Sequence, residues 1–251
     1  MKKYFIEATG TAFLVFIGCG CALSSFEVIG VFGVGLSFGL VYALWYMMFN
    51  TISGSHLNPA VSFSQYLIKK ISAKEFWFYS LSQVIGGLIA ALMLMFTYLL
   101  CVDGAGLLAS NRMLCGYWMY SQASVSFILA MLIEIVATLA FVLVFLITQH
   151  RKDNKILAGL ILGVVYVLIV VCTFNATGAC INPARAFGPA FVYFILGSPD
   201  CIIQFIWISF ATLVGSFLGV LIFRKIYSKD NIAYAWKSKK QKAKKDNSTT
   251  K

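Results

Sequence analysis

Residues 179–185 read Ala179-Cys180-Ile181-Asn182-Pro183-Ala184-Arg185, and a related stretch, Ser55-His56-Leu57-Asn58-Pro59-Ala60-Val61, lies 124 residues earlier. Asn is a favoured N-cap residue and Pro is favoured at the first position of a helix, so each Asn-Pro-Ala triplet predicts a helix start. One copy alone would be ordinary turn chemistry. Two copies in matching places of an apolar chain indicate a repeated structural element.

The helix that begins after Asn58 is short, because its apolar run ends at Lys69-Lys70 after roughly ten residues, or about 15 Å. This is half of the roughly 30 Å hydrocarbon core of a bilayer. We expect two half-helices that enter from opposite faces and meet at their N-termini, where free N–H groups and positive dipole ends converge. Such a point repels cations, and the side-chain amides of Asn58 and Asn182 are expected to donate to a passing oxygen.

The composition is that of a membrane protein, since 60% of the 251 residues are apolar and 12% are charged. Length and hydropathy predict an all-α fold with six transmembrane helices plus two half-helices. The predicted spans are Tyr4–Leu23, Val28–Phe49, Phe76–Leu100, Ser124–Thr148, Ile156–Phe174 and Ile202–Tyr227, with half-helices at Asn58–Ile68 and Asn182–Ile195. The Lys-rich start resembles a signal peptide, but Glu7 interrupts the apolar run, so we interpret this segment as the first span.

The spans are predicted to form two repeats. Glu7-Ala8-Thr9-Gly10-Thr11 in the first span matches Glu134-Ile135-Val136-Ala137-Thr138 in the fourth, and each half has three spans and one half-helix. Three is an odd number, so the second half must be inverted in the membrane relative to the first. We expect repeats at residues 1–120 and 121–227. The Lys-rich tail at 228–251 is expected either to bind anionic lipid or to be disordered.

The basic residues indicate the orientation. Of the 20 Lys and Arg residues, all but Arg112 and Arg185 lie on the side of both termini. The positive-inside rule therefore predicts that both termini are cytoplasmic, and the even number of spans agrees. The net charge of +11 is then a topology signal, and no folded module indicates nucleic-acid binding. The expected location is the plasma membrane, or the inner membrane of a bacterial cell.

Glu7 and Glu134 are the acidic residues within the predicted spans, where a carboxylate is costly. One interpretation is a proton-coupled or catalytic acid. The other is structural, with each side chain accepting hydrogen bonds from the non-helical backbone before a half-helix. The symmetric placement favours the structural role, because coupling needs one such site whereas two equivalent scaffolds need two.

The seven cysteines form no CxxC pair and no metal-ligand spacing with the two histidines. We therefore expect no metal and no cofactor, and the absence of a nucleophile–base pattern argues against an enzyme. Cys115 and Cys201 fall in or near the expected outer segments, where a disulfide is conceivable.

The chain resembles the major intrinsic protein family, which contains the aquaporins and the aquaglyceroporins. The resemblance covers about residues 4–227. It is carried by Glu7-x-x-Gly10-Thr11, Ser53–Val61, Ser82–Gly87, Thr177-Gly178 and Ile181–Ala190. The resemblance implies a right-handed bundle of six tilted helices, one pore per subunit, a homotetramer, and passive conduction with protons and ions excluded.

The family narrows its pore near the outer mouth with four residues, whose offsets from the two motif Asn residues carry over to Phe38, Val170, Ala179 and Arg185. Arg185 is expected to donate to a permeating oxygen while it repels cations. Val170 departs from the family pattern. Water-selective members usually have His there, and glycerol-conducting members have Gly, with an aromatic residue at the position of Ala179. The resemblance thus implies a wider and more apolar filter.

Two other positions favour water. Glycerol conductors usually carry Asp directly after the motif Arg and a basic residue four further on, whereas this chain has Ala186 and Ala190. We therefore predict a water channel, with a leak of glycerol, ammonia, urea or hydrogen peroxide as a secondary expectation.

His56 lies two residues before Asn58. It is either a titrating sensor or part of the scaffold of its loop, which the family context favours. His150, in the basic loop after the fourth span, is another gating candidate, unless it is simply solvated. Mercury often blocks this family through a Cys at the position of Ala179. Here the thiol belongs to Cys180, so weak mercury sensitivity is predicted.

Three rival functions remain. A glycerol-type facilitator is distinguished by its solute flux. A secondary transporter that uses Glu7 or Glu134 predicts flux that depends on a proton gradient. A non-conducting adhesion or junction protein on the same fold predicts no permeability above that of lipid. The intact Arg185 and the two Asn-Pro-Ala motifs argue against this last function.

Overall fold

The computed structural model describes residues 1–100, 115–116, 123–151 and 154–227. These residues form eight helices, six of which are long and apolar enough to cross a membrane. In chain order the helices are α1 Lys2–Ser24, α2 Phe26–Ser53, α3 Pro59–Leu67, α4 Ala73–Leu99, α5 Phe127–Arg151, α6 Lys155–Thr177, α7 Pro183–Ile195 and α8 Asp200–Ile226. The predicted architecture of six spans and two half-helices is confirmed. Most of the predicted connector 103–123, the tail 228–251 and Arg112 lie outside the described residues.

Local capping decides where the long helices begin and end. Ser72 starts α4 through a capping box with Glu75. Gly54 and Gly178 end α2 and α6 in the left-handed conformation, with φ of 91° and 77°. Several helices extend a few residues beyond the predicted spans; α2, predicted as Val28–Phe49, is an example. The reason is that polar residues at a helix end lower the local hydropathy without ending the helix.

The helix contacts have a two-fold pattern. Helix α1 packs against α2 and α4, and α5 packs in the same way against α6 and α8. The half-helix α3 contacts α4 and α8, and the half-helix α7 contacts the same two long helices. Each half-helix is therefore held by the last long helix of both halves. This pattern is what inverted repeats produce, and it supports the proposed division into residues 1–120 and 121–227.

Two glycines allow α7 to approach α4 closely. A Cβ atom on Gly87 would overlap the carbonyl oxygen of Ala184, and a Cβ atom on Gly188 would overlap the carbonyl oxygen of Gly87. Small residues at helix contacts are a common means of gaining van der Waals packing in membranes, where the hydrophobic effect does not drive helices together. The backbone contact fixes the start of α7 against α4.

The bundle is apolar on its outer surface, and a small set of polar side chains is buried within its largely apolar interior. The outer surface of the bundle carries many large apolar residues, such as Phe32, Leu160 and Phe210, which suits contact with lipid. The interior holds fully buried polar side chains: Glu7, Asn58, Gln83, Glu134, Asn182 and Arg185. Since a buried polar group is costly unless it is hydrogen-bonded, these residues need partners within the bundle.

Candidate functional site

The two half-helices meet N-terminus to N-terminus. The Nδ2 atom of Asn58 donates to the carbonyl oxygen of Ile181 at 2.7 Å, and Nδ2 of Asn182 donates to the carbonyl oxygen of Leu57 at 2.8 Å. Each Asn thus bonds to the residue before the other Asn. These reciprocal bonds bring residues 124 positions apart in sequence into one site.

The same two Asn residues cap their own helices. Oδ1 of Asn58 accepts from the amide of Ala60 at 2.8 Å, and Oδ1 of Asn182 accepts from the amide of Ala184 at 3.0 Å. Pro59 and Pro183 occupy the first helical positions, where the missing N–H costs nothing. The capping oxygen fixes the rotamer of each amide, so that its nitrogen points toward the junction of the half-helices.

The loops before the two Asn residues share an unusual backbone. Four residues adopt left-handed φ angles, at positions three and one before each Asn: Ser55 (47°), Leu57 (52°), Ala179 (50°) and Ile181 (43°). Such conformations cost on the order of 1–3 kcal/mol for a residue other than glycine and need support from the surrounding structure. The strain is greatest for the β-branched Ile181.

Glu7 supports the first loop. Its carboxylate accepts from the backbone amides of His56 at 3.0 Å and Leu57 at 2.6 Å, and from Nε2 of Gln83 at 2.9 Å. Glu7 has no solvent exposure. A single side chain thereby satisfies two consecutive amide donors of a backbone that forms no regular secondary structure.

Glu134 supports the second loop in the equivalent way. It accepts from the amides of Cys180 at 2.9 Å and Ile181 at 2.7 Å, and from the hydroxyl of Thr177 at 2.5 Å. The bonded amides belong to the residues two and one before Asn182, as they do before Asn58 in the first loop. Gln83 and Thr177 lie in stretches that carry the family resemblance, but neither was predicted to have a role in the site. The feature of the sequence that could have indicated a role for Gln83 is its polar amide side chain within the apolar third span.

His56 is part of this scaffold. Its Nδ1 lies 3.1 Å from the hydroxyl of Ser62, and its ring stacks on Tyr79 at a centroid distance of 4.7 Å. The Ser62 hydroxyl also accepts from Gln83 at 3.0 Å. His56, Gln83 and Glu7 therefore form one buried network behind the first loop. This packing supports the scaffold interpretation of His56 over that of a sensor.

The four residues that the resemblance assigns to a filter are all buried. Phe38, Val170 and Ala179 belong to one apolar cluster, and the guanidinium carbon of Arg185 lies 5.6 Å from the ring centroid of Phe38, a cation–π distance. Arg185 Nη2 donates to the carbonyl oxygen of Gly178 at 3.0 Å. The guanidinium and the Phe38 ring thus form one surface beside the second loop.

The position of the Phe38 ring depends on helix α1. A Cβ atom on Gly18 would overlap the Phe38 ring, so the ring lies directly on the α1 backbone. Arg185 Nη1 also contacts Sγ of Cys115. The Arg185 side chain therefore contacts both the Phe38 ring, which packs on the backbone of α1, and Cys115 of the connector.

The cysteines near the site are not joined by disulfides in the described part of the chain. Neither Cys115 nor Cys201 takes part in a disulfide, so the conceivable bridge between them is not formed. Cys115 packs instead in a small buried cluster with Cys180, Ala186 and Ile208. Sγ of Cys180 lies 3.6 Å from the carbonyl oxygen of Asn182. The Cys180 thiol is therefore in contact with other protein atoms.

Six spanning helices around two half-helices that meet at capped Asn residues define a membrane channel of the inverted-repeat class. The profile of the major intrinsic protein family matches residues 1–223. Aquaporin Z of Rhodopseudomonas palustris is 33% identical over 228 residues, covering 89% of this chain and 92% of the relative. Aquaporin Z of Brucella melitensis is 32% identical over 237 residues, covering 92% and 100%. This chain belongs to the major intrinsic protein family.

A solved structure shares the fold. The crystal structure of the aquaglyceroporin from Plasmodium falciparum superposes with a TM-score of 0.74 at 22% identity, covering 91% of this chain and 95% of that chain. The predicted family and fold are thus confirmed, and the chain is a multi-pass membrane protein. Members of the family are passive channels rather than enzymes. The choice of membrane and the orientation of the termini stay predictions.

Proposed function

We propose that this protein is a passive water channel whose pore passes the junction of the two half-helices. The observation that carries the proposal is the reciprocal pair of hydrogen bonds between Asn58 and the Ile181 carbonyl, and between Asn182 and the Leu57 carbonyl. It brings two positive helix N-termini and two side-chain amides to one point within the membrane, which is unfavourable for a cation and favourable for a neutral dipole.

The amide chemistry explains how protons are excluded. A side-chain amide carries two N–H donors, and each Asn uses one of them on the opposite loop. The second donor is available to a permeating water. A water oxygen that accepts from both Asn58 and Asn182 has its lone pairs occupied, so it cannot accept a proton from the next water in the file.

The filter is proposed to consist of Phe38, Val170, Ala179 and Arg185. Arg185 contributes a permanent positive charge with no solvent exposure, and its charge opposes the passage of protons and other cations. Phe38 forms an apolar wall beside it. Val170 and Ala179 offer no side-chain donors, so Arg185 is the main polar group for a permeating oxygen at this level.

The choice of water over glycerol is supported by two lines of reasoning. The relatives that share about one third of the sequence are named aquaporins, and Ala186 and Ala190 stand where glycerol conductors usually have Asp and a basic residue. Glycerol conduction is the alternative, because Val170 replaces the usual His. Ammonia, urea and hydrogen peroxide are further candidate permeants.

The remaining proposals concern the buried glutamates, His56, the oligomeric state and the membrane. Glu7 and Glu134 each hold two consecutive backbone amides of a strained loop, which supports a structural role over proton coupling, and His56 has the same role in the first loop. We propose a homotetramer in the plasma (or bacterial inner) membrane with both termini cytoplasmic. Its partners are the lipid bilayer and its permeants, without nucleic acid.

The test is stopped-flow light scattering on purified protein in liposomes, with one run in a sucrose gradient and one in a glycerol gradient. Fast shrinkage in sucrose without rapid re-swelling in glycerol is expected for a water channel. Rapid re-swelling as well would establish the glycerol alternative. Shrinkage no faster than that of protein-free liposomes would contradict the proposed channel function.

Mercury chloride is expected to reduce the water permeability by less than about twofold, because buried thiols react poorly and Cys180 is fully buried. The measurement is the same shrinkage assay before and after addition of mercury chloride, with recovery by a thiol reductant as the control. Strong inhibition that disappears in Cys180→Ser would show that this thiol faces the pore.

A further inference from the structure

Four aromatic rings form a connected set of contacts that begins at Phe38, beside the Arg185 guanidinium. Phe38 stacks on Tyr166 at a centroid distance of 5.6 Å and an angle of 7°. Phe141 meets Tyr42 at 5.2 Å and Tyr166 at 5.3 Å, both edge to face, and Tyr42 lies 5.7 Å from Tyr166. We call Phe38, Tyr42, Phe141 and Tyr166 the aromatic cluster. The rings come from α2, α5 and α6, so the cluster ties together both halves of the fold.

The aromatic cluster extends from the filter toward the Asn pair. At one end, Phe38 lies under the Arg185 guanidinium. At the other, Tyr42 is one helical turn further along α2, and its hydroxyl points to the carbonyl oxygens of Ser55 at 3.1 Å and His56 at 3.3 Å. These carbonyls belong to the strained loop that leads directly into Asn58. The aromatic cluster therefore connects the surroundings of Arg185 to the loop that leads into Asn58.

The cluster leaves little space for a polyol. Rings at centroid distances of 5.2–5.7 Å, edge to face or tilted, are in van der Waals contact. All four side chains are at most 1% exposed, so each ring is surrounded by other protein atoms. A polyol such as glycerol would have to displace a packed ring, whereas a single water molecule needs only a small gap beside a ring.

One atom of the cluster is polar and lacks a partner. The hydroxyl of Tyr166 is buried and makes no hydrogen bond within the described part of the chain. An unsatisfied buried hydroxyl is unfavourable, and a passing water satisfies it by both donating and accepting. By contrast, the Tyr42 hydroxyl is already engaged by the loop carbonyls. Within the cluster, the Tyr166 hydroxyl is thus the group that can hydrogen-bond to a permeating water after Arg185.

We propose that the aromatic cluster is a second constriction of the pore, and that it sets the size limit for permeants. In this view the filter excludes cations through Arg185, while the rings exclude polyols although Val170 and Ala179 leave the filter wide. The Tyr166 hydroxyl is a hydrogen-bond partner for water within the constriction. This inference rests on the proposed channel function, and it makes Tyr42, Phe141 and Tyr166 specificity-determining residues.

The test replaces Tyr166 with Val, which removes a ring that contacts all three of its neighbours. In liposomes, Tyr166→Val is expected to raise the glycerol permeability at least about tenfold, equivalent to a barrier lowered by about 1.4 kcal/mol, because the volume of the ring becomes free for a polyol. Tyr166→Phe keeps the ring and removes the hydroxyl. It is expected to lower the water permeability by a factor of about two to five while glycerol stays excluded.

A matched control is Phe223→Val on α8. Phe223 is 3% exposed and packs against His150 and Tyr227, away from the aromatic cluster. Its replacement removes a similar ring and is expected to leave the glycerol permeability at the wild-type level. Should Tyr166→Val fail to yield folded protein, Phe141→Val removes a ring from the same constriction and carries the same expectation.

The outcomes separate this inference from the channel function itself. Wild-type liposomes that conduct no water above the lipid background would refute the channel function. Wild-type liposomes that conduct water and also glycerol rapidly would overturn the size limit, as would a folded Tyr166→Val or Phe141→Val that conducts water and still excludes glycerol. Unchanged water permeability in Tyr166→Phe would overturn the role of the hydroxyl.

Discussion

Liposomes that contain Glu134→Ala are expected to shrink no faster than protein-free liposomes, and the purified variant is expected to melt at a clearly lower temperature. The substitution removes the acceptor of the Cys180 and Ile181 amides and of the Thr177 hydroxyl. Each buried amide left without a partner costs about 1–3 kcal/mol, so the two amides together cost about 2–6 kcal/mol, while the Thr177 hydroxyl keeps the carbonyl oxygen of Thr173 at 3.5 Å. That is a large share of the roughly 5–15 kcal/mol by which a folded protein is stable.

The expected loss is larger because the same loop is strained. Ala179 and Ile181 hold left-handed φ angles of 50° and 43°, and the Glu134 bonds flank them. Without these bonds we expect the loop to leave its strained conformation, so that the Ile181 carbonyl oxygen no longer accepts the hydrogen bond from Asn58 Nδ2. Loss of that contact opens the junction of the half-helices, so conduction and stability are expected to fail together.

The control for this prediction is Glu75→Ala. Glu75 is also a glutamate bonded to backbone, through the capping box of Ser72, but it is 35% exposed and pairs with Lys3 at 2.5 Å near the start of α1. Its loss is expected to cost about 1 kcal/mol and to leave water permeability unchanged. A Glu134→Ala variant with wild-type permeability would contradict the scaffold role.

Liposomes that contain Arg185→Leu are expected to conduct water within about threefold of wild type but to lose their resistance to protons and other cations. Arg185 has no solvent exposure, and in a site of effective dielectric constant about 20 its charge opposes a cation about 4 Å away by about 4 kcal/mol. Since 1.4 kcal/mol is a factor of ten, a rise in cation leak of roughly 100-fold or more is expected. The measurement is the decay of an imposed pH gradient, followed with an entrapped dye.

The control variant is Arg224→Leu on α8. Arg224 also donates from Nη2 to a backbone carbonyl, that of Leu67 at 2.6 Å, just as Arg185 donates to the carbonyl of Gly178. The two substitutions therefore remove the same charge and the same kind of hydrogen bond, one inside the proposed filter and one at an exposed site. A pH gradient as stable in Arg185→Leu as in Arg224→Leu would refute the assignment of Arg185 as the cation barrier.

Much of the fold was accessible from the sequence because it depends on local chemistry. The half-helix starts at Asn58 and Asn182 follow from the capping preferences of adjacent residues, and α3 and α7 begin directly after them. The six spans follow from the apolar length that a bilayer requires. The ends of the spans were less accurate, since helix ends such as Gly54 are set by backbone conformation rather than by hydropathy.

Parts of the site were also accessible, for a different reason. Glu7 and Glu134 stand out because a carboxylate within an apolar span is costly, and their matching places in the two halves indicated a shared role. Their hydrogen-bond partners Gln83 and Thr177 carried a weaker signal. An uncharged polar residue in a long span has many uses, including bonding to its own helix.

The sequence by itself determined the two half-helices, the six spans and the buried charges, because each is a property of neighbouring residues or of the bilayer as a solvent. Tertiary structure alone decided the Asn58 to Ile181 bond and the meeting of Tyr42, Phe141 and Tyr166. The physical reason is that a helix in lipid is apolar on every face. Its hydrophobic pattern therefore does not distinguish rings that face lipid from rings that face the interior, and only packing against the other helices does so.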